Sequence, residues 1–210
     1  MKLTVNFESI TLGQSIIKYE VPLEVFVGIN ELYETKKKHL PNANKQLAGK
    51  IPDEVSLFFS GPTTEKMHAH SYVSEDILRW FYSIFEHYLK WTKTRKSNMN
   101  INSIWVNEMK AGDYNPAHIH QGSIYTGLSS VMILKLPKDM GPEIARPDEP
   151  MNGQFVRSDY APKVKIGDFY VFPYDVRHVV YPFANKKEKR RTLVCNCDVD
   201  YDPVNSRTTQ

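Results

Sequence analysis

Two stretches constrain this chain more than anything else in it: Gly112-Asp113-Tyr114-Asn115-Pro116-Ala117-His118-Ile119-His120, and Gly167-Asp168-Phe169-Tyr170-Val171-Phe172-Pro173 running on to His178. In an extended segment, residues i and i+2 face the same side, so His118 and His120 can aim at one point with no turn between them. A third ligand must come from elsewhere. His178 suits that role because it follows an apolar-aromatic strand and a proline-containing bend, where a strand end presents a side chain into a barrel mouth. Imidazole nitrogens suit Fe, Zn, Cu or Ni. Further on, Arg190-Arg191-Thr192-Leu193-Val194-Cys195-Asn196 alternates like a strand. One face carries Arg190, Thr192, Val194 and Asn196, the other Arg191, Leu193, Cys195 and Cys197. With the first face turned inward beside His178, Arg190 and Thr192 offer a guanidinium fork and a hydroxyl to a carboxylate. A dicarboxylate held there would reach the metal with its other end.

The rest of the chain reads as support. Strands are expected within 1–19 around a turn at Leu12-Gly13-Gln14. Pro22 opens a helix whose Val25, Phe26, Ile29, Leu32 and Tyr33 share a face, closed by Lys36 to Lys38. Residues 41–66 read as loop around a short apolar run at 55–59. Ser74 caps a second amphipathic helix with Ile77, Phe81, Ile84, Phe85, Tyr88 and Leu89 along one stripe. His68-Ala69-His70 sits just before that helix and reads as loop or cap chemistry rather than a rival metal site. After a polar linker at 93–100, strands are expected at 101–109, 124–136, 164–172, 179–181 and 192–199. The Pro/Gly-rich 137–161 reads as a lid or an irregular connection. The expected fold class is α+β, a jelly-roll core with helices packed against one sheet. It would form a single domain over 1–210, with 1–100 as strand and helical support and 101–200 as the core carrying the metal site.

Composition narrows the classes. In 210 residues, 41% hydrophobic and 12% aromatic content suffices for a sizeable core. The net charge of +3 is spread over scattered basic runs, which read as solvated faces, so nucleic-acid binding is not expected. The two cysteines, Cys195 and Cys197, sit i and i+2 on one strand, a spacing that suits neither a disulfide nor a zinc site. With no signal-like leader and no apolar run near 18 residues, a cytoplasmic protein with no membrane partner is expected. Nothing in the sequence speaks to the oligomeric state.

Trp105-x-Asn107, the Gly112-to-His120 stretch, Ser123 to Gly127, Gly167 to Pro173, His178, Pro182 and Arg190-x-Thr192 to Asn196 together resemble the 2-oxoglutarate and Fe(II) dependent oxygenases of bacteria and marine phages. The resemblance covers residues 105 to 196, about half the chain. It implies a double-stranded β-helix, or jelly roll, with Fe(II) as metal, 2-oxoglutarate as co-substrate and molecular oxygen as oxidant. The expected chemistry converts 2-oxoglutarate to succinate while a C–H bond of an unidentified primary substrate is hydroxylated. Carried over, it makes His118 and the distal His178 metal ligands, and Arg190 with Thr192 the clamp for the co-substrate carboxylate. His120 stands where the family's triad normally has a carboxylate, either as a third ligand or beside the metal. Asn107 could hydrogen-bond the co-substrate. Asp113, Asp168 and Asp175 could rebuild the triad, and Tyr125 and Ser129 are further inward candidates.

The same spacings resemble the cupins, which carry Gly, five residues, His-x-His, and later Gly, five residues, Pro, then His. Cupins share the jelly roll, so the fold does not depend on the choice and the chemistry does. Two alternatives therefore stay open: a three-histidine metalloenzyme that needs no 2-oxoglutarate, and a non-catalytic jelly-roll binding module.

Overall fold

The computed structural model describes residues 6–12, 14–43, 49–63, 66–138, 155–156 and 163–201. Strands β1 (Phe7–Leu12) and β2 (Gln14–Glu20) lead into helix α1 (Leu23–Lys36). Strands β3 (Asp53–Thr63) and β4 (Lys66–Ser71) precede helix α2 (Glu75–Trp91). Seven strands follow: β5 (Lys96–Met109), β6 (Asn115–His118), β7 (Gly127–Lys135), β8 (Phe155–Val156), β9 (Asp168–Pro173), β10 (His178–Val180) and β11 (Arg190–Tyr201). They form an eight-stranded sheet in the order β1-β2-β9-β7-β11-β5-β3-β4 and a three-stranded sheet in the order β6-β10-β8, every pairing antiparallel. With two helices added, this is the expected α+β jelly roll.

Helix α2 forms where the 3.6-residue apolar stripe demanded it. The Ser74 hydroxyl accepts from the Ile77 amide, and Ile77, Trp80, Phe81, Ile84, Phe85, Tyr88 and Leu89 are buried. These side chains share one core with Ile104, Val106, Met132, Phe169, Val171, Leu193, Cys195 and Cys197 of the large sheet. The alternate positions of the same strands, Val131, Ile133, Tyr170, Phe172 and Val194, form a second cluster on the opposite face, with Trp105 packed against it. The helices thus cover one side of the large sheet. The period-2 alternation expected for β11 is present, and it turns Arg190, Thr192, Val194 and Asn196 away from the helical layer into a cavity.

Both histidine-bearing stretches begin with one turn design. In Lys110-Ala111-Gly112-Asp113 and Lys165-Ile166-Gly167-Asp168, the aspartate amide donates to the lysine carbonyl at 3.0 and 3.1 Å. The aspartate carboxylate in turn accepts from the lysine amide at 2.8 and 2.9 Å. The third position has φ of +81° at Gly112 and +91° at Gly167, a conformation that disfavours any side chain with a Cβ.

Three expectations give way. Residues 41–66 are not simply loop, because β3 runs for eleven residues. Its Pro62 lies in the part that pairs only with β4, where a missing amide donor is tolerated. The polar 93–100 is in part the start of β5. His68 and His70 lie on β4 rather than in a loop or cap. The suggested lid at 137–161 falls almost wholly outside the described residues.

Candidate active site

The small sheet brings the histidines together. His118 on β6 is the direct cross-strand partner of His178 on β10. His120 lies two residues beyond the end of β6 and is held by its amide, which donates to the Tyr174 carbonyl at 2.9 Å. Two of the rings are oriented by the same local device. His118 Nδ1 donates to the Pro116 carbonyl at 2.7 Å, and His178 Nδ1 donates to the Val176 carbonyl at 2.9 Å. A carbonyl only accepts, so both Nδ1 atoms carry the proton and both Nε2 atoms present a lone pair. His178 Nε2 lies 3.1 Å from His120 Nε2.

One potential ligand atom from each histidine falls within 4.8 Å of the others, the one such cluster among the described residues. Two imidazole nitrogens each about 2.1 Å from one cation lie about 3.0 Å apart at a right angle and about 3.4 Å apart at the tetrahedral angle. The observed 3.1 Å falls between them. Burial first, then the proximity of His118, pushes His178 down to about 3. Burial and the two neighbouring rings push His120 well below its ordinary value. Burial lowers His118, offset in part by its bond to Pro116. All three are therefore neutral at physiological pH, as metal ligation requires.

None of the three candidate aspartates rebuilds a triad. Asp113 and Asp168 cap their own turns, and Asp175 is exposed. Tyr125 is 86% exposed, which removes it from the inward set. Ser129 is fully buried and donates to Asn196 Oδ1 at 2.8 Å, orienting a side chain on the cavity wall.

The cavity, about 600 Å³, lies between the two sheets, lined on one side by His118, His120 and His178 and on the other by Trp105, Asn107, Arg190 and Thr192. Arg190 is 1% exposed. Among the described residues, its side chain makes one hydrogen-bond contact, a 3.6 Å approach of Nη1 to Met109 Sδ, while Nε and Nη2 have no partner. Burial lowers its pKa to about 10, which leaves it charged at neutral pH. A buried cation with two idle N–H groups is costly unless an anion completes it. Arg191, on the opposite face, is fully engaged: it bonds Glu108, Glu34 and Asn30 and lies 4.2 Å over the Tyr33 ring. Strand register alone separates the two arginines.

Sequence reading missed Glu54. It lies on β3 opposite Asn107 and lines the cavity with Ser56, while the alternating Val55 and Leu57 pack into the helical core. That alternation was the available signal. The buried side-chain atoms without a hydrogen-bond partner among the described residues are Glu54 Oε2, Trp105 Nε1, Asn107 Oδ1, Arg190 Nε and Arg190 Nη2. Every one of them belongs to a residue lining this cavity.

A jelly roll that gathers three neutral imidazoles and an unpaired guanidinium around one cavity has the layout of a metal-dependent oxygenase. Comparison with known proteins gives the family it resembles. Residues 103–196, a little under half of the chain, match the family model described as "Putative 2OG-Fe(II) oxygenase", and in this segment the chain is similar to the 2-oxoglutarate/Fe(II) oxygenases, whose cofactors are Fe(II) and 2-oxoglutarate. No curated protein matches the chain. Among solved structures it is similar to an oxidoreductase of the 2OG-Fe(II) oxygenase family from Burkholderia pseudomallei, with 17% identity, a TM-score of 0.56, and 86% of this chain and 84% of that one covered. It is also similar to the viral collagen prolyl hydroxylase of Paramecium Bursaria Chlorella virus-1 in its 2OG complex, at 13% identity, TM-score 0.54 and coverages of 87% and 94%. A prolyl hydroxylase from Trichoplax adhaerens, solved with a hypoxia inducible factor peptide fragment, matches at 12% identity, TM-score 0.53 and coverages of 90% and 84%. At these identities the likeness is one of fold.

Proposed function

We propose that this oxygenase is a hydroxylase in which His118, His120 and His178 hold Fe(II), and Arg190 with Thr192 holds the distal carboxylate of 2-oxoglutarate. The observation that carries the reading is the buried Arg190 guanidinium with two unpartnered N–H groups in the cavity that the histidines also line. That cation calls for an anionic ligand, and the distal carboxylate of 2-oxoglutarate supplies one. When bound together, Fe(II), 2-oxoglutarate and O2 supply an oxidant that places one oxygen atom in a substrate C–H bond and the other in succinate. The chain's own residues set the geometry. Pro116 and Val176 fix the tautomers of His118 and His178, leaving each Nε2 unprotonated; the His118 Nε2 lone pair, which accepts from Asn115 Nδ2 at 3.4 Å, would turn to the metal. Asn107, cross-strand from Thr192, turns its amide to the co-substrate. Trp105 and Phe172, with ring centroids each 6.2 Å from that of His120, wall the histidines with apolar surface that limits water. With His120 in place of a carboxylate, the ligand set is one charge more positive than the usual triad and favours an anionic co-substrate. The two buried free thiols, Cys195 and Cys197, fit a reducing cytoplasm.

Anaerobic titration tests the reading. Fe(II) with 2-oxoglutarate should give a weak visible charge-transfer band that neither gives alone, and Arg190→Met should weaken 2-oxoglutarate binding. A wild-type protein that binds stoichiometric Fe(II) but no 2-oxoglutarate would overturn it in favour of the cupin-like alternative.

A further inference from the structure

Arg190 is not the cavity's only unpaired charge-bearing side chain. Glu54 is 2% exposed, lines the same wall, and its Oε2 has no hydrogen-bond partner among the described residues. Its cross-strand neighbour on β5 is Asn107, whose Oδ1 is also buried and unpartnered. Directly opposed positions on adjacent strands hold their Cβ atoms about 4.5–5.5 Å apart. With Glu54 ionised, two idle acceptors stand side by side, and a donor-rich ligand group satisfies both. The Arg190 Nε and Nη2, in the lining of the same cavity, are idle as well. The cavity thus presents one unpaired cationic group and one unpaired acidic group on its wall. The proposed function gives the guanidinium an anionic partner, and the acid remains.

We propose that Glu54, with the Asn107 carbonyl, is the recognition point for a positively charged group, an ammonium or guanidinium, on the primary substrate. Ammonium and guanidinium carry only donors, so either group can serve both acceptors without leaving an acceptor of its own unsatisfied. Charge complementarity agrees: burial raises the Glu54 carboxyl to about 8, and a cation arriving beside it returns it to the ionised form. Asn107 then bridges the two ligands, with its amide NH2 toward the co-substrate and its oxygen toward the substrate cation. This assignment rests on the cavity being the active site of the proposed hydroxylase. It sets the substrate class as basic, either a free amine or amino acid, or a lysyl or arginyl side chain in a peptide.

Calorimetric titration separates these sources. The probes are L-lysine and L-arginine, the same residues in short blocked peptides, and norleucine and citrulline, whose side chains are uncharged, in both formats; free n-butylamine against n-butanol tests an ammonium outside an amino acid. Each is titrated into protein loaded anaerobically with Fe(II) and 2-oxoglutarate, and again into protein with neither. In at least one format the cationic probe should bind ten times or more tighter than its uncharged counterpart, and Glu54→Gln should abolish that ratio. Glu54→Leu should raise the unfolding temperature or leave it unchanged, because it removes an unpaired buried carboxyl; a fall would mark Glu54 as structural and overturn the proposal. Loss of discrimination in the wild type, or its persistence in Glu54→Gln, would also overturn it. If 2-oxoglutarate fails to bind while the unloaded protein still discriminates through Glu54, the oxygenase reading falls and the cation site stands.

Discussion

Adjacent arginines on β11 give a paired test of which residue serves a ligand and which serves the fold. Arg191 donates from Nε to Glu108 Oε2 at 3.0 Å and from Nη1 to Asn30 Oδ1 at 3.2 Å, and it also engages Glu34 and the Tyr33 ring. Replacing it with Met leaves the buried Glu108 carboxylate with Lys189 as its remaining cation. Breaking one side of a buried pair costs about 3–5 kcal/mol. In a chain of this size that lowers the unfolding temperature by roughly 10 °C. Arg190→Met loses one 3.6 Å contact to sulfur and removes an uncompensated cation, so its stability should stay within about 1 kcal/mol of wild type, or rise. Its 2-oxoglutarate affinity should fall by about 1.5–3 kcal/mol, the range of hydrogen bonds to charged groups. That is roughly a ten- to hundredfold change in Kd. Urea or thermal unfolding of the metal-free proteins gives one axis, and calorimetry of 2-oxoglutarate into the Fe(II)-loaded proteins gives the other. The two variants should fall on opposite axes. If Arg190→Met unfolds as readily as Arg191→Met and still binds 2-oxoglutarate normally, the assignment of faces on β11 is wrong.

Acid should act through the same network. Burial alone would raise the Glu108 carboxyl, but hydrogen bonds from Lys189 and Arg191 outweigh it and hold it below its ordinary value. Glu34 is lowered by Arg191 and then Lys37. Both carboxyls therefore contribute stability above their unfolded value of 4.5, which is lost as pH falls through their lowered folded values. Urea unfolding followed downward from about pH 6 should show that acid limb in wild type and a flatter one in Arg191→Met. His118→Ala and His178→Ala should each weaken Fe(II) binding on the order of 100-fold or more, with the unfolding temperature little changed because both rings line the cavity rather than the helical core; full affinity in His178→Ala would remove it from the ligand set. His120→Asp should keep or raise Fe(II) affinity, as read by anaerobic titration, and a total loss of binding would show that the position accepts only imidazole.

Physical periodicity decides what the sequence revealed. The faces of β11 were legible because one carries Leu193 and the two cysteines, which join the helical core, and the other carries Arg190 and Thr192, which do not. The convergence of His118 with His120 followed from strand geometry, and the stripe of α2 from helix geometry. Strand β3 was obscured by Pro52, Gly61 and Pro62 and by polar residues at the alternate positions Glu54 and Ser56, which suggested a surface although they point into the cavity. The hydrogen-bond partners of Arg191 lie 83, 157 and 161 residues away, beyond any local pattern. Both failures have one origin: pattern reading assigns polar residues to water, and this fold buries several of them. Where it buries them for stability they are paired, as around Arg191. The buried side-chain nitrogen and oxygen atoms left unpaired among the described residues all lie on Glu54, Trp105, Asn107 and Arg190, around the cavity that the three histidines also line. Each unpaired buried polar atom costs about 1–3 kcal/mol, so an evolving chain with no ligand to place there would gain stability by replacing any of the four with an apolar residue. Their concentration in one place is what a fold looks like when its missing hydrogen-bond partners arrive with the ligands.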